Sequence, residues 1–358
     1  MGIFEDRVRE IDKSGMLELI LSMPEEWERA VVDYEAVQLP DKPPYVRPRR
    51  IIVIGMGGSA IGGDIVYDYL YERLTVPYTV CRDFLAPRWV DKNTLVIAVS
   101  YSGNTEETIR CLRDVLNRGA GAVLVTSDGI LEKLGRKRGL PLLKLPQGRP
   151  PRTAVTYMVA SILWVLDKAE VVEFPRAEAA EAATALRDAR KDVLKEDSEE
   201  LKLAKALEGR IPLIYSYRPY LSVGLRFKTQ INENAKSHAF WCPLPEGNHN
   251  EIMGWEGALS APLAPVLIRG KEEPEYLRVR IEFWRTMLSS RGVPFYEVVS
   301  NKGCRLSELL TLLLKLDMVS YLLAIVKGVD PTPVTTITGL KRYVSERIKF
   351  EEQVREWF

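Results

Sequence analysis

Hydroxyl side chains and one glycine follow an apolar run in residues 96–108, VIAVSYSGNTEET. The β-branched apolar residues predict a buried strand, and the two glutamates that follow predict the first turn of a helix. Ser100, Ser102 and Thr105 lie in the loop between these two elements. Backbone N–H groups at a helix start and hydroxyl donors together form a good anion site. The loop therefore predicts a binding site for the phosphate of a small ligand.

A second loop of similar composition lies upstream, in residues 50–64, RIIVIGMGGSAIGGD. An apolar strand leads into glycines that permit a tight turn and a close approach of the backbone to a ligand. Ser59 stands where the next helix starts. The dinucleotide motif G-x-G-x-x-G fails because Ala60 occupies the position of its third glycine, and the lysine of a P-loop is also missing. One such loop is compatible with ordinary turn chemistry, but two loops with serines favour phosphate binding.

Polar residues are concentrated in an otherwise apolar stretch, residues 232–252, NENAKSHAFWCPLPEGNHNEI. Glu233 is predicted near the end of a helix, and His249 lies between two asparagines, shortly before Glu251. Polar groups in such surroundings need hydrogen-bond partners, and functional sites retain networks of this kind. A single glutamate or loop histidine is usually structural. In a chain with two histidines and two phosphate-type loops, the combination favours a catalytic role.

The elements that must position these residues alternate between strand and helix. Predicted strands in the first half are 50–54, 78–81, 95–99, 122–126 and 142–145, and predicted helices are 61–73, 105–117 and 130–138. This alternation predicts a parallel sheet with helices on both faces. Ligands bind such sheets at the carboxyl ends of the strands, where both hydroxyl loops fall.

The alternation resumes in the second half of the chain. Strands are predicted at 212–216, 265–268 and 294–298, and helices from 217 to about 235, at 274–290, at 306–327 and from 337 to about 354. A buried helix is predicted at 153–168 and a solvated helical segment at 176–209. We therefore predict an α/β protein with an N-terminal domain at 1–170, a helical connection at 171–209 and a C-terminal domain at 210–358.

The composition excludes several classes of function. Fifty Lys and Arg residues balance 49 Asp and Glu residues, so no basic excess is present to bind nucleic acid. Charges interrupt the apolar runs, which argues against a membrane span, and the acidic, amphipathic N-terminus does not resemble a signal peptide. The four cysteines form no C-x-x-C pair and histidines are few, so we expect no metal site and a cytoplasmic location. The 28% of charged residues, with scarce glutamine, favours a thermophilic source.

Five segments taken together carry a family resemblance. GMGGSAIGGD, SYSGNTEET, PPRTA, NENAK and EGNHNEI occur in this order and are similar to motifs of bacterial and archaeal bifunctional phosphoglucose/phosphomannose isomerases. These enzymes belong to the phosphoglucose isomerase superfamily and contain two sugar-isomerase (SIS) domains. The resemblance implies two doubly wound parallel-sheet SIS-type domains with helical N-terminal and C-terminal segments. It also implies a homodimer with shared active sites that works without metal or cofactor in glycolysis and gluconeogenesis.

The resemblance also implies a role for each matched residue. Glu233 is implied as the base that moves a proton between C1 and C2, and Arg152 as the group that stabilises the enediolate. His249, from the second subunit, is implied to assist ring opening, and Lys341 to lie near the ring oxygen. The residues implied to hold the sugar phosphate are Gly58, Ser59, Ser100, Ser102 and Thr105. The substrates implied are glucose 6-phosphate, mannose 6-phosphate and fructose 6-phosphate.

Two alternative functions use the same kind of domain. The aminating synthase of glucosamine 6-phosphate needs a glutaminase domain with an N-terminal cysteine, and the first cysteine of this chain is Cys81. A sugar-phosphate sensor usually carries a helical DNA-binding domain with a basic recognition helix, which the acidic first 45 residues do not resemble. A sensor also has no need of Glu233, His249 and Lys341. Isomerisation of fructose 6-phosphate is therefore the favoured interpretation, with a non-enzymatic binding module or another SIS isomerase as alternatives.

Overall fold

The computed structural model describes residues 2–257, 262–300 and 303–357. The chain forms two compact units. The five-stranded unit comprises Glu26–Pro175 and Pro333–Phe358, and the four-stranded unit comprises Met1–Glu25 and Arg176–Thr332. Each unit is built around one parallel sheet, which confirms the predicted α/β class.

Strands alternate with helices within each sheet region, and runs of consecutive helices precede, connect and follow these regions. The first half contains α1 (Gly2–Ile11), α2 (Met16–Leu21), α3 (Met23–Asp33), β1 (Arg50–Ile54), α4 (Gly57–Leu70), β2 (Tyr78–Cys81), β3 (Thr94–Val99), α5 (Glu106–Asn117), β4 (Gly121–Thr126), α6 (Gly129–Arg138), β5 (Leu142–Lys144) and α7 (Val155–Lys168). The second half contains α8 (Arg176–Val193), α9 (Glu199–Leu207), β6 (Ile211–Ser216), α10 (Leu221–Asn234), β7 (Phe240–Pro243), β8 (Leu263–Arg269), α11 (Glu275–Ser290), β9 (Tyr296–Val299), α12 (Arg305–Lys327), α13 (Thr335–Ser345) and α14 (Phe350–Trp357).

The sheet of the five-stranded unit has the order β2-β1-β3-β4-β5, with every strand pair parallel. The order reverses between β1 and β3, and Ile54 of β1 pairs with Ala98 of β3. The two strands therefore end side by side. In open parallel sheets this reversal point leaves a crevice at the carboxyl ends of the strands, where ligands bind. Both strands are almost completely buried, as their continuous apolar runs predict.

The sheet of the four-stranded unit has the order β7-β6-β8-β9, again with every pair parallel. Its largest helix, α12, packs against α2, α8, α9 and α10. By length and composition α12 could cross a membrane, but 89% of its apolar window is buried inside the protein. That burial is the pattern of a core helix, which accounts for a 23-residue apolar helix in this fold.

The predicted elements agree with the structure at most positions and differ at three. The segment 240–243 forms the short edge strand β7, which the sequence analysis did not predict. The predicted terminal helix is two helices, α13 and α14. The segment 176–209, predicted to be solvated, buries one face, because the small side chains of Ala179, Ala182 and Ala183 on α8 allow close packing against α12.

The two compact units also differ from the predicted domain boundaries. Helices α1 and α2 pack on α12, so the N-terminal 25 residues belong to the four-stranded unit. Helix α14 packs on α5, where Arg110 Nη2 donates to Gln353 Oε1 at 2.9 Å and the Arg113 guanidinium lies 4.2 Å from the centroid of the Trp357 indole. The C-terminal helices therefore belong to the five-stranded unit. Such long-range packing leaves no periodic signal in the sequence.

Candidate active site

Two loops at the carboxyl edge of the five-stranded sheet bring the predicted phosphate-binding residues together. We call residues 55–59, after β1, the glycine loop and residues 100–105, after β3, the serine loop. Ser59 Oγ accepts a hydrogen bond from the backbone N–H of Tyr101 at 3.1 Å, and this bond is buried. The two loops are thus directly joined at the reversal point of the sheet.

The serine loop holds its hydroxyl groups close together. Ser100 Oγ and Thr105 Oγ1 lie 2.9 Å apart, and Ser102 Oγ accepts from the backbone N–H of Asn104 at 3.3 Å. Each hydroxyl carries one proton, and the hydrogen bond between Ser100 and Thr105 uses only one of these two protons. A second donor therefore remains for an acceptor such as a phosphate oxygen. Thr105 directly precedes α5, so this donor lies at the positive end of a helix.

Gly103 makes the shape of the serine loop possible. Its φ is +67°, in the left-handed region, and a Cβ at this position would overlap the carbonyl of Asp128. The backbone N–H of Leu131 donates to the carbonyl of Gly103 at 3.0 Å, and that of Ser127 donates to the carbonyl of Tyr101 at 2.9 Å. The turn after β4 therefore supports the serine loop from behind and fixes its conformation.

The glycine loop uses its glycines differently from the sequence expectation. Only Gly57 has a positive φ, +49°. A Cβ on Gly55 would lie 2.8 Å from the carbonyl oxygen of Val99, and one on Gly58 would lie 3.2 Å from the backbone N and Cα of Arg152. Gly55 and Gly58 therefore let the protein's own backbone come close to the loop. The sequence analysis had predicted that the glycines let a ligand come close. The N-cap of α4 is Met56, and its first turn carries no charge, so the positive end of this helix is not neutralised by its own residues.

Arg152 lies in a 3₁₀ turn, Pro151–Thr153, that packs against the glycine loop at Gly58. Its side chain is buried, at 4% exposure, which is unusual for arginine. The turn is closed by Thr153, whose Oγ1 and backbone N–H both donate to the carbonyl of Pro150 at 2.9 Å. The backbone of Arg152 thus lies against the glycine loop, and its cationic side chain is buried in the five-stranded unit.

Glu233 lies in the last turn of α10 and is half-buried. Two lysines donate to the carbonyl groups at this helix end. Lys236 Nζ donates to the carbonyl of Glu233 at 2.7 Å and to that of Pro331 at 2.9 Å, and Lys327 Nζ donates to the carbonyl of Ala235 at 2.9 Å. Burial lowers the pKa of Lys327. Cationic groups at a helix C-terminus offset its negative dipole, so these lysines favour a carboxylate there.

Helix α10 is held rigidly by α12. Arg226 Nε and Nη2 donate to the two carboxylate oxygens of Asp317 at 3.0 and 2.6 Å, with both side chains buried. Nearer Glu233, Asn234 Nδ2 donates to Ser320 Oγ at 2.9 Å. A buried bidentate ion pair has a narrowly defined geometry, so it fixes both the rotation and the register of α10. The position of the Glu233 backbone follows from these contacts.

His249 is exposed, at the end of a 3₁₀ turn, Glu246–Asn248. The asparagines on either side of it are structural. Asn248 Oδ1 accepts from Trp284 Nε1 at 2.7 Å, and Asn250 Oδ1 accepts from the backbone N–H of Glu251 at 2.6 Å. They shape the loop so that the imidazole faces outward. Phe240, seven residues after Glu233, is 56% exposed, so it does not shield the glutamate from solvent.

Lys341 lies on α13, and every residue of that helix is exposed or half-buried. The structure therefore groups the predicted residues in two sets. The five-stranded unit contains Lys341, Arg152 and the phosphate-loop residues, and the four-stranded unit contains Glu233 and His249. In the part of the chain that the structure describes, no group of three or more His, Cys, Asp or Glu residues could hold a metal ion.

Two contributors to the site were missed by sequence reasoning. Tyr101 links the serine loop to Ser59, and Trp284 supports the loop that carries His249. The apolar pattern predicts only that both side chains are buried. Their hydrogen bonds join segments far apart in sequence, which one sequence cannot indicate.

Family comparisons agree with this architecture. An SIS domain model matches residues 45–133, and the model "Bacterial phospho-glucose isomerase C-terminal SIS domain" matches residues 196–344. A bifunctional phosphoglucose/phosphomannose isomerase of Caldicellulosiruptor bescii is 31% identical over 338 residues, 92% of this chain and 99% of that protein. The chain belongs to the bifunctional phosphoglucose/phosphomannose isomerase family. The resemblance inferred from the motifs is thereby confirmed.

Other relatives and a solved structure show how far the similarity extends. The bifunctional phosphoglucose/phosphomannose isomerase of Aquifex aeolicus is 34% identical, over 84% of this chain and 91% of that protein. A D-glucosamine-6-phosphate 4-epimerase of Sulfolobus acidocaldarius is 32% identical, over 68% of this chain and 76% of that protein. The crystal structure of hypothetical protein TT0462 from Thermus thermophilus aligns with 97% of this chain and with 94% of its own chain, with a TM-score of 0.74. At 18% sequence identity this similarity supports the fold alone.

The packing around Gly103 predicts a large difference between two substitutions. Gly103 and Gly119 both have positive φ, but the Cβ of an alanine at 119 would have only the Lys92 Cβ nearby, at 3.6 Å. Gly119→Ala should therefore cost about 1–2 kcal/mol, the ordinary cost of a left-handed alanine. Gly103→Ala should cost about 2–5 kcal/mol, because the turn after β4 must also move. Urea unfolding of both variants measures the two costs, and equal losses would contradict the close packing described here.

Proposed function

We propose that this protein isomerises sugar phosphates, interconverting glucose 6-phosphate and mannose 6-phosphate with fructose 6-phosphate. The observation that carries the proposal is the pair of joined hydroxyl loops at the reversal point of the five-stranded sheet, in a member of this family. The phosphate of the sugar is the ligand that these loops suit. Anchoring the substrate by its phosphate supplies binding energy far from the reacting carbons.

The phosphate is proposed to bind between Ser59, Ser100, Ser102 and Thr105, with the backbone N–H of Gly58. The closeness of Ser59, Ser100 and Thr105 in the joined loops supports this assignment. The starts of α4 and α5 add two positive helix ends at the carboxyl edge of the sheet. A dianionic group is favoured there without any metal ion.

Glu233 is proposed as the base of the reaction. It takes the proton from C2 of the open-chain aldose, so that the C2–H electrons form the C1=C2 bond and the π electrons of the C1 carbonyl move to O1, which gives a cis-enediolate, the anion of the cis-enediol. Glu233 then returns the proton to C1 while the hydroxyl proton on O2 passes to O1, which leaves the C2 carbonyl of the ketose. Its place at a helix end with fixed geometry supports this role, because a base must be positioned before its pKa matters. Arg152, a fixed and buried cation, is proposed to stabilise the negative oxygen of the intermediate.

His249 and Lys341 are proposed to help open the sugar ring, which requires transfer of a proton between the ring oxygen and the anomeric hydroxyl. Both side chains are exposed in the single chain, so each is accessible to a ligand or a second subunit. Imidazole exchanges protons readily near neutral pH, which suits such a transfer. The reaction as a whole needs no redox cofactor, since the substrate is oxidised at one carbon and reduced at the next.

A homodimer with shared active sites is proposed, in which His249 serves the partner. Support comes from α11, whose inner face carries Trp284, the residue that holds the His249 loop. Its outer face exposes Tyr276, Val279 and Phe283, at spacings of three and four residues. Such an apolar stripe on an exposed helix face favours contact with another protein surface.

The free cysteines support a reducing cytoplasm as the location of the protein. We also propose that it acts in glycolysis and gluconeogenesis in a thermophile.

A second candidate function is C4 epimerisation of a hexosamine phosphate. The relative from Sulfolobus acidocaldarius with that name is as similar in identity as several of the isomerases. Both reactions need a phosphate anchor, so the loops do not separate them. Product analysis does: with glucosamine 6-phosphate an epimerase forms the galacto compound, whereas with fructose 6-phosphate an isomerase forms glucose and mannose 6-phosphates.

Replacement of the base tests the proposed reaction. In the presence of a chelator, the native protein should convert fructose 6-phosphate to glucose 6-phosphate. Glu233→Gln keeps the shape of the side chain and removes its basicity, so kcat should fall by about 10²–10⁴-fold with little change in KM. Exchange of the C2 proton with solvent, followed by NMR, should fall in parallel.

Glu251→Gln is the matched control, because Glu251 lies on the same unit beside His249. It should retain proton exchange. If Glu251→Gln loses exchange and Glu233→Gln keeps it, Glu251 is the base. If the native protein is inactive with chelator and recovers with zinc, a metal-independent mechanism is wrong.

Removal of the loop hydroxyls tests the phosphate site. Each hydrogen bond to a charged phosphate contributes on the order of 1–3 kcal/mol. The double variant Ser59→Ala, Ser102→Ala should therefore raise the dissociation constant for a sugar phosphate about 10-fold or more, as calorimetry would measure. Ser161→Ala, which removes a buried hydroxyl on α7 that donates to the Met158 carbonyl, should leave it unchanged. Equal affinity in all three proteins would refute the assignment.

Mixed dimers test the shared site. In a two-fold dimer of Glu233→Gln with His249→Ala, one active site carries both changes and the other carries neither. Each variant alone should be nearly inactive, whereas an equimolar mixture refolded together should recover about a quarter of native activity, because half of the dimers are mixed. Mixed dimers that form, as native mass spectrometry would show, and remain inactive would disprove the shared site.

A further inference from the structure

Tyr101 lies at the centre of the candidate site, between two of the proposed phosphate ligands, and is only 6% exposed. Its backbone N–H donates to Ser59 Oγ at 3.1 Å. Its carbonyl accepts from Ser127 Oγ at 2.6 Å and from the backbone N–H of Ser127 at 2.9 Å. The backbone of this one residue therefore joins the serine loop to the glycine loop and to the turn after β4.

The phenol of Tyr101 makes two further bonds in another direction. Its hydroxyl donates to the carbonyl of Pro146 at 2.7 Å and accepts from the backbone N–H of Arg149 at 3.2 Å. Burial raises the pKa of the Tyr101 phenol, so the hydroxyl is protonated and donates at neutral pH. One oxygen atom thus closes the chain from Pro146 to Arg149 into a fixed loop.

This loop leads directly to Arg152. The Arg149 side chain continues the link, since its Nη1 donates to the carbonyl of Thr153 at 3.3 Å and its guanidinium forms an ion pair with Glu26. Thr153 ends the 3₁₀ turn that carries Arg152. The path from the tyrosine hydroxyl to the turn of Arg152 therefore consists of two hydrogen bonds, one at the Arg149 backbone N–H and one from Arg149 Nη1 to the Thr153 carbonyl, joined by the Arg149 side chain itself.

We propose that Tyr101 is a positioning residue for Arg152: its hydroxyl holds the loop from Pro146 to Arg149 and so places the Arg152 guanidinium at the reacting oxygens. This inference rests on the proposed function, in which Arg152 stabilises the enediolate. The backbone of Tyr101 serves phosphate binding, whereas its hydroxyl serves the chemical step. The two contributions are separable because Phe keeps the ring and the backbone and lacks only the oxygen.

Tyr101→Phe should therefore lower kcat about 10- to 100-fold, the effect expected when a catalytic group is displaced by about 1 Å, and should change KM less than about threefold. Tyr34→Phe is the matched control. Tyr34 is also buried in the five-stranded unit, and its hydroxyl donates to the carbonyl of Lys144 at 3.0 Å, two residues before Pro146. The two variants should lose similar thermal stability, and only Tyr101→Phe should lose kcat.

A double-mutant cycle separates positioning from a general structural role. If Tyr101 acts through Arg152, Tyr101→Phe should change kcat less than about twofold in an Arg152→Ala background, where the group it positions is absent. Independent effects that multiply in the double variant would overturn the inference, as would native kcat in Tyr101→Phe. If Arg152→Ala itself keeps native kcat, the role of Arg152 in the proposed function fails first, and the positioning role fails with it.

Discussion

The hydrogen bond from the Tyr101 backbone to Ser59 Oγ is the interaction on which the candidate site depends. It forms because β1 and β3 are parallel neighbours that end at the same level, so the loops after them meet. The packing leaves little freedom in either loop. Gly55 lies against the end of β3, and Gly103 lies against the turn after β4. The hydroxyl groups are therefore positioned by the sheet itself, and a ligand need not order them on binding, which preserves affinity.

The four-stranded unit has the same strand order at its own reversal point but a different surface there. After β6, the Tyr220 hydroxyl donates to Glu308 at 2.7 Å, and after β8 the backbone N–H of Lys271 donates to the same carboxylate at 2.7 Å. A Cβ on Gly270 would overlap the Tyr220 hydroxyl. A carboxylate of the protein thus accepts the donors that this edge of the sheet offers. The topology alone does not make a phosphate site, and the side chains decide which of the two edges is open to an anion.

The sequence was most informative where function and local structure use the same residues. Buried parallel strands appear as continuous apolar runs, and loops at helix starts need glycine and hydroxyl residues, so β1, β3 and both loops were predicted. Features that depend on contacts between distant segments were not predicted. Strand β7 is only four residues long and partly exposed, the N-terminal helices join the distant α12, and the Tyr101 hydroxyl bridges Pro146 and Arg149. Motif resemblance assigned roles to Glu233 and His249, but the supports of these residues, Asp317 and Trp284, lie outside every motif.

The surroundings of Glu233 show what placing a carboxylate at a helix end requires. The dipole of α10 is unfavourable for a negative charge at its C-terminus. Lys236 and Lys327 offset that dipole by donating to the last carbonyl groups. Lys236 has a left-handed φ of +50°, which is unfavourable for a residue with a Cβ. The buried pair of Arg226 and Asp317 adds a further cost of desolvation, which apolar residues of similar volume would avoid. Strain and buried charge of this kind concentrate where position matters more than stability. The buried pair fixes the helix that carries Glu233, and the strained residue follows directly after that helix, so both support the proposed role of this carboxylate on grounds independent of any motif.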